Sequence, residues 1–324
     1  MKKIGITGAN GFIGKSLCKA LHKLNKPVVA IVRSENSIKT LSGINTRVIG
    51  NITPNTNWSQ ALENCEVIIH CAAKADAMNS KDNFDDYYAV NADGTKNLAE
   101  QAVEAGVKKL IFLSSIKVNG ENTDKKIFDN NLNNEKNLKF RHDHLPNPDG
   151  YYAKSKFEAE KMLWNISLKT GLEVIVFRLP LVYGPGVRGN IARLIKIINL
   201  GLPLPLSGIK NKRSILGIDN LVDLLIHSIH HSKASGKIFL ASDDQDLSTP
   251  ELIKIIAFSL GRKANLFPFP ISMLKFLTSV LGKREEINRL VGSLRIDDSY
   301  TKEILNWTPS VSVEEGIRRM VQGK

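Results

Sequence analysis

The run Thr7-Gly8-Ala9-Asn10-Gly11-Phe12-Ile13-Gly14, set directly after the apolar stretch Lys3-Ile4-Gly5-Ile6, constrains the fold more than any other feature of this chain. Lys3 to Thr7 reads as a short buried strand, and Phe12, Ile13, Leu17 and Leu21 then recur at helical spacing. Gly8, Gly11 and Gly14 therefore fall at a strand-to-helix turn. Gly8 permits the tight turn, Gly11 lets the backbone approach a pyrophosphate, and Gly14 lets the helix pack against the sheet. Free N–H groups and the helix dipole at such a turn attract phosphate, so the context points to a bound dinucleotide. Asn10, Phe12 and Ile13 share the turn and are expected to line it.

Past a first helix that reaches about Leu24, short apolar runs alternate with helical patterns. Residues 28–32, 47–49, 67–70, 110–114 and 174–178 are strand candidates, and 84–105 and 150–170 are long helices with an apolar stripe. Strand, helix, strand repetition means an α/β chain with a Rossmann-type doubly wound parallel sheet. After Tyr183-Gly184-Pro185-Gly186 the rhythm breaks into helices over 191–200, 219–231, 250–260 and 313–320. This predicts a dinucleotide-binding domain over 1–186, completed by strands and helices returning from the later chain. A smaller C-terminal α/β lobe over 187–324 would bind the substrate. The asparagine- and lysine-rich stretch 119–137 reads as a surface loop.

Composition narrows the function classes. Of 324 residues 42% are hydrophobic, enough for one large core or a main domain with a smaller partner. No apolar run is long enough to span a bilayer, and the first strand begins at once, so no signal peptide is expected and the protein reads as cytoplasmic. Three cysteines, Cys18, Cys65 and Cys71, have no metal-binding spacing, which implies reduced structural thiols. The formal net charge is +13, yet the lysines read as scattered and no aromatic-interleaved basic motif accompanies them. Nucleic acid is not expected as a partner. An anionic small substrate accounts for part of the surplus and a solvated lysine-rich surface for the rest.

Ser114 and Ser115 close the fifth strand candidate, and Tyr152 lies on the helix that follows, with Lys156 one turn later on the same face. A phenol has a reference pKa of about 10, so proton exchange near neutrality needs a cation close by. Lys156 supplies one. Tyr151 lacks such a partner, because Ser155 stands four residues on from it. Ser115 is placed to hydrogen-bond the same substrate oxygen and steady the charge that develops there.

With these pieces in view, the chain resembles the extended short-chain dehydrogenase/reductase family, the nucleotide-sugar epimerases and dehydratases, over nearly its whole length. The matching segments are T-G-A-N-G-F-I-G, H-C-A-A-K from His70, V-N-A-D-G-T-K-N-L from Val90, F-L-S-S-I-K-V-N-G from Phe112, Y-A-K-S-K from Tyr152 and F-R-L-P-L-V-Y-G-P-G from Phe177. The resemblance implies that Ser115 and Tyr152 act on a substrate oxygen and that Lys156 holds the nicotinamide ribose and the tyrosine. Ala72 and Ala73, with Ser114 and Pro180, would lie along the cofactor, and Asn91 would brace the site. The segment R-S-I-L-G-I-D-N-L from Arg213 resembles the one whose arginine holds the substrate diphosphate. Arg289 and Arg295 are further diphosphate candidates. Asn190 is either a contact to the nucleotide sugar or a helix cap before Ile191. A homodimer built on the two long helices is a family expectation.

Two departures from the family pattern bear on cofactor and reaction. At the end of the second strand the chain reads Ile31-Val32-Arg33-Ser34, with no carboxylate until Glu35. An arginine there pairs with a 2′-phosphate, which favours NADP(H) over NAD(H); the alternative is a solvated arginine. The family's aspartate after the third strand is Asn51, followed by Ile52, and an amide oxygen still accepts a hydrogen bond near the adenine. Directly after Ser115 stand Ile116 and Lys117, where the related 4,6-dehydratases carry an Asp-Glu pair for acid and base. Dehydration is thereby disfavoured. Two reactions remain: reduction of a 4-keto sugar, which the apparent NADP preference favours, and 4-epimerisation with tightly held NAD. The segment S-S-I-K-V-N-G-E from Ser114 resembles bacterial reductases of UDP-4-keto-6-deoxy-N-acetylhexosamines for surface polysaccharide, and so implies the first. Lys117 would touch the sugar or its diphosphate, or simply face solvent. A non-catalytic regulator or RNA-binding member of the fold is a minor alternative, since Ser115, Tyr152 and Lys156 are all retained.

Other features read as structural. His142 and His144 flank Asp143 in a polar segment without a third ligand, so no metal is expected. His227, His230 and His231 share one helix. The stretch 267–281, rich in Phe, Met and Leu, reads as core or subunit interface, with a membrane-surface role as the other possibility.

Overall fold

The computed structural model of the protein describes residues 2–75, 83–124, 139–280 and 284–323. Among them nine strands are defined: β1 (Lys3–Thr7), β2 (Val28–Val32), β3 (Asn45–Val48), β4 (Cys65–His70), β5 (Lys109–Ser115), β6 (Glu173–Leu179), β7 (Leu181–Tyr183), β8 (Ile215–Gly217) and β9 (Lys237–Leu240). Seven form one sheet in the order β3-β2-β1-β4-β5-β6-β9, with every pairing parallel. Between β1 and β4 the chain order reverses. An open parallel sheet leaves a crevice beyond the carboxyl ends of its strands at that point, because the flanking connections diverge to opposite faces.

Near-continuous Val and Ile runs suit strands buried on both faces. Alternate residues of β2 divide accordingly: Val29 and Ile31 pack with Leu98, Ala102, Phe112 and Leu163, while Ala30 and Val32 join Ile6, Leu17, Leu21, Phe177 and Leu221. The helix Phe12–Lys23 and the helix Ile218–Ile229 cover the second of these faces. The helix Gly150–Thr170 covers the first; Asp149 caps its start and Gly171, at φ 76°, ends it in the left-handed region.

The single helix expected over 84–105 is three consecutive pieces, α-helix at Phe84–Tyr88, a π turn at Ala89–Asp93 and α-helix at Gly94–Glu104. The smaller lobe packs the helices Asn190–Asn199, Thr249–Ser259 and Val313–Gln322 around Ile253, Ile256 and Ile317, beside the two-stranded sheet β7-β8. The chain beyond 186 is shared between both parts, since β9 and the helix Ile218–Ile229 belong to the large sheet and its cover. Of the stretch read as a surface loop, 125–137 lies outside the described residues, and Asn119 is fully buried. Its amide oxygen takes a hydrogen bond from Arg178, and that pairing draws the asparagine inward.

Candidate active site

The glycine turn is built for close approach. Gly8 has φ 63°, and a Cβ there would sit 2.8 Å from the Ala72 backbone; one on Gly14 would sit 2.3 Å from the Gly8 carbonyl oxygen. The helix that follows starts at Gly11 with no side-chain cap and no acid in its first turn, which leaves N–H donors and the dipole available to an anion. A dinucleotide fits this cradle. Ala72, half buried, and Ala73, exposed, follow β4 beside the turn. At the end of β2, Arg33 and Ser34 are exposed, and Asn10 Nδ2 donates to Ser37 Oγ at 2.8 Å. Ile52, past β3, meets Gly94 so closely that a Cβ there would stand 2.5 Å from its Cγ2. The Asn51 side chain is exposed while its carbonyl takes the Thr56 hydroxyl. These residues thus gather along the carboxyl edge of β1, β2, β3 and β4.

A buried relay ties that edge to the tyrosine helix. Thr95 gives its hydroxyl proton to the Asn91 carbonyl (2.7 Å), so its contact with His70 Nε2 (3.0 Å) requires a proton on that nitrogen. His70 Nδ1 is then bare and accepts from the Thr7 hydroxyl at 2.6 Å, whose oxygen receives the Ala72 N–H at 3.2 Å. Burial, reinforced by the Lys156 charge, pushes the His70 pKa down to about 3, consistent with a neutral ring. Asn91, on the π turn, binds Lys74 through both its amide groups (2.8 and 2.9 Å) and donates to Ser155 Oγ (3.0 Å). Ser155 in turn donates to the Tyr152 carbonyl at 2.9 Å. A chain of hydrogen bonds thus runs from Thr7, at the foot of the glycine turn, to the Tyr152 carbonyl.

Ser115 ends β5, and its Oγ accepts the Lys117 N–H at 3.3 Å, which leaves its own proton to donate. Tyr152 is half buried near the start of the helix Gly150–Thr170, with Lys156 one turn on and buried. Lys156 Nζ donates to the Leu113 carbonyl at 2.8 Å and stands 4.4 Å from the centre of the Phe112 ring. Burial lowers its pKa to about 7, opposed by nearby Cys71 and Glu160. Ser114, which the resemblance sets along the cofactor, has its hydroxyl engaged within the fold. Successive strand residues face opposite ways, and Ser114 Oγ donates to Glu160 at 2.5 Å. Glu160 also takes Arg178 in a buried pair at 2.7 Å, and Arg178 reaches Asn119 at 3.0 Å. This network, missed at the sequence level, locks the strand end beneath the tyrosine helix. Its signal was an arginine inside the apolar strand Val-Ile-Val-Phe-Arg-Leu, which demands a buried acid. Pro180 is buried directly after β6.

The cations of the smaller lobe converge as well. Arg213 donates to the carbonyls of Arg289 (2.9 Å) and Gly292 (3.0 Å), at the end of the helix Arg284–Val291. Burial lowers its pKa, with Glu121 and Asp124 opposing and Arg289 reinforcing. Lys117 joins them through its ion pair with Glu121 at 2.9 Å. Arg295 pairs instead with Asp246 at 2.8 Å. Asn190 is exposed as the first helical residue, and Gly189 rather than Asn190 holds the cap position, because only glycine takes its φ of 70° without strain. His142 lies flat on Tyr300 with ring centres 3.6 Å apart, and Asp143 pairs with Arg141. Among the described residues no cluster of His, Cys, Asp and Glu suits a metal.

Comparison with known proteins places this geometry. The family model described as "NAD dependent epimerase/dehydratase family" matches residues 4–241. A UDP-glucose 4-epimerase of Vibrio cholerae is 39% identical over 324 residues, covering 99% of this chain and 95% of its own. An N-acetyl-alpha-D-glucosaminyl-diphospho-ditrans,octacis-undecaprenol 4-epimerase of Escherichia coli O157:H7 is 26% identical over 294 residues, covering 87% and 82%. The structure of UDP-glucuronic acid 4-epimerase from Bacillus cereus in complex with NAD superposes with TM-score 0.78 at 23% identity, covering 99% of this chain and 98% of that one. With its dinucleotide cradle, its Ser–Tyr–Lys constellation and this match, the chain belongs to the NAD dependent epimerase/dehydratase family, as an oxidoreductase or epimerase of the extended short-chain dehydrogenase/reductase type.

Proposed function

We propose that the protein inverts C4 of a UDP-activated hexose, using NAD held on the glycine turn. The observation that carries this reading is the 39% identity to a UDP-glucose 4-epimerase, which runs through both lobes. The second relative's name is also that of a 4-epimerase of a sugar diphosphate. This favours epimerisation over the net reduction of a 4-keto sugar that the sequence suggested first.

When bound, NAD would supply reversible hydride transfer at C4. Tyr152 takes the C4 hydroxyl proton and gives it back, with the Lys156 charge favouring the phenolate one turn away. Ser115 donates its hydroxyl to the same oxygen. Inversion at C4 would require the hexose to present its other face at the site, so its anchor must lie elsewhere. Arg213 and Arg289 supply one for the diphosphate. Ile116 and Lys117 offer no acid–base pair for elimination.

The test is incubation of purified protein with UDP-glucose, and separately with UDP-N-acetylglucosamine, without added coenzyme, with NMR identification of the sugar. Appearance of a galacto product supports the proposal; inertness of both, with NADPH consumed on a UDP-4-keto-6-deoxy sugar, replaces it with reduction. One observation favours that second reading. Arg33 is exposed at the end of β2, beside Ser34 and the Asn10–Ser37 pair, where a 2′-phosphate of NADP would lie. Analysis of coenzyme released from the purified protein distinguishes the two.

A further inference from the structure

Helix Ile271–Val280 packs the partly buried Ile271 and Leu274 against the small-lobe core, yet beside Ser272 and Lys275 its outward face carries two large apolar side chains: Met273 is 52% and Phe276 68% exposed. The neighbouring turns share this character. Asn265 Nδ2 reaches the Gly201 carbonyl (3.3 Å), and backbone bonds join Leu204 to Asn265 (2.8 Å) and Phe267 to Leu204 (3.1 Å). They hold the ends of two helices side by side, with Leu200, Leu202, Phe258 and Phe267 exposed along the same edge, Phe258 at 85%. Isolated exposed apolar residues need no explanation, but six large ones on adjoining turns do.

The charge around them is one-sided. Residues 186–218 and 252–280, from which this edge is drawn, contain ten of the 45 Lys and Arg residues and none of the 32 Asp and Glu; of the ten, Arg213 is turned inward and Lys212 pairs with Glu251. The basic surplus is therefore concentrated here, not scattered as the sequence first suggested. Lys196, Arg262, Lys263 and Lys275 are all exposed on it.

We propose that this edge of the smaller lobe docks the protein on an anionic lipid surface, with the phenylalanines at the headgroup boundary and the cations against lipid phosphates. Apolar side chains ringed by Lys and Arg, with Glu251 the acid at the margin, are the chemistry of interfacial binding. A second copy of this chain fits less well, since a two-fold contact would set the cations against one another. No helix among the described residues is long and apolar enough to cross a membrane, so attachment would be peripheral. Docking is independent of the reaction assigned above, and its test reads binding, not turnover.

The full chain is sedimented with vesicles of phosphatidylcholine alone and of an equimolar phosphatidylcholine–phosphatidylglycerol mixture. Binding to the anionic vesicles only, released at about 0.5 M salt, is expected. The double variant Phe258→Ser/Phe276→Ser and the double variant Arg262→Glu/Lys263→Glu should each lower the partition about tenfold or more, with melting temperature and turnover of soluble substrate unchanged. No binding to either vesicle, equal binding to both, or wild-type binding by the serine variant would overturn the proposal. So would self-association in light scattering that the serine changes abolish, which would assign the edge to a second copy.

Discussion

Tyr152 and Lys156 could be paired from the sequence because their spacing on one helix carries a chemical reason, and both lie on the helix Gly150–Thr170, one turn apart. Replacement of Tyr152 by Phe removes the proton carrier and little else. Turnover should fall about a thousandfold with coenzyme affinity, measured by fluorescence titration, changed less than about twofold. Retained turnover would reassign the proton carrier. Lys156 supports a second, less obvious expectation. Its pKa falls to about 7 in the folded protein from an unfolded value of 10.5. Below pH 7 the fold must bury the charge, at a cost on the order of 5 kcal/mol that fades as pH rises toward the unfolded value. Lys156→Met should accordingly be inactive yet more stable than wild type, with the largest gap in urea midpoint at pH 6 and little gap at pH 10. A gap that widens with pH would refute burial as the cause. Glu160 and Arg178 were illegible as a pair, because nothing in spacing tells which acid meets a strand arginine across the sheet.

At the scale of elements, strand positions were legible and the helix after β4 was not. Runs of Val and Ile bound β1, β2, β4, β5 and β6 to within a few residues, since a buried parallel strand needs apolar residues on both faces. The π turn at Ala89–Asp93 leaves no such trace: the helices on either side, Phe84–Tyr88 and Gly94–Glu104, are too short for periodicity to register a one-residue change of phase. Its purpose is visible only in the contacts, where it points Asn91 at Lys74 and Ser155 while His70 and Thr95 hold it to β1. His70→Leu leaves the Thr7 and Thr95 hydroxyls without their ring partner. Stability should drop by about 2–4 kcal/mol in urea unfolding, and coenzyme affinity should weaken with it because the relay no longer fixes Ala72. His70→Gln, which can both donate and accept, should recover part of each. If the leucine variant keeps wild-type affinity, the relay supports the fold alone.

Over the whole molecule, the division into two lobes does not follow the chain. A break in rhythm at Gly186 marks where the alternation of strands and helices ends, but periodicity carries no information on which later segments return to the sheet. The structure returns β9 to the edge of β6 and lays the helix Ile218–Ile229 across the helix Phe12–Lys23, with Leu305 and Trp307 completing that layer. Trp307 Nε1 donates to Asp223 at 2.7 Å, and Lys109 Nζ reaches the Ile229 carbonyl at 2.8 Å from β5. Asp243, just past β9, takes the Tyr183 hydroxyl, the Gly217 N–H and the Asn220 amide, each at 2.8 Å, and so bonds the end of the large sheet to the small one. A fragment of residues 1–186 thus retains the glycine turn and the Ser–Tyr–Lys set but exposes the edge of β6 and half of one apolar layer. Open edges and uncovered apolar faces favour association over folding. The fragment should therefore aggregate or unfold without a cooperative transition in circular dichroism and should not retain NAD, whereas the full chain melts cooperatively. A soluble fragment with a sharp transition and measurable coenzyme binding would mean that the later chain decorates a domain already complete, instead of finishing it.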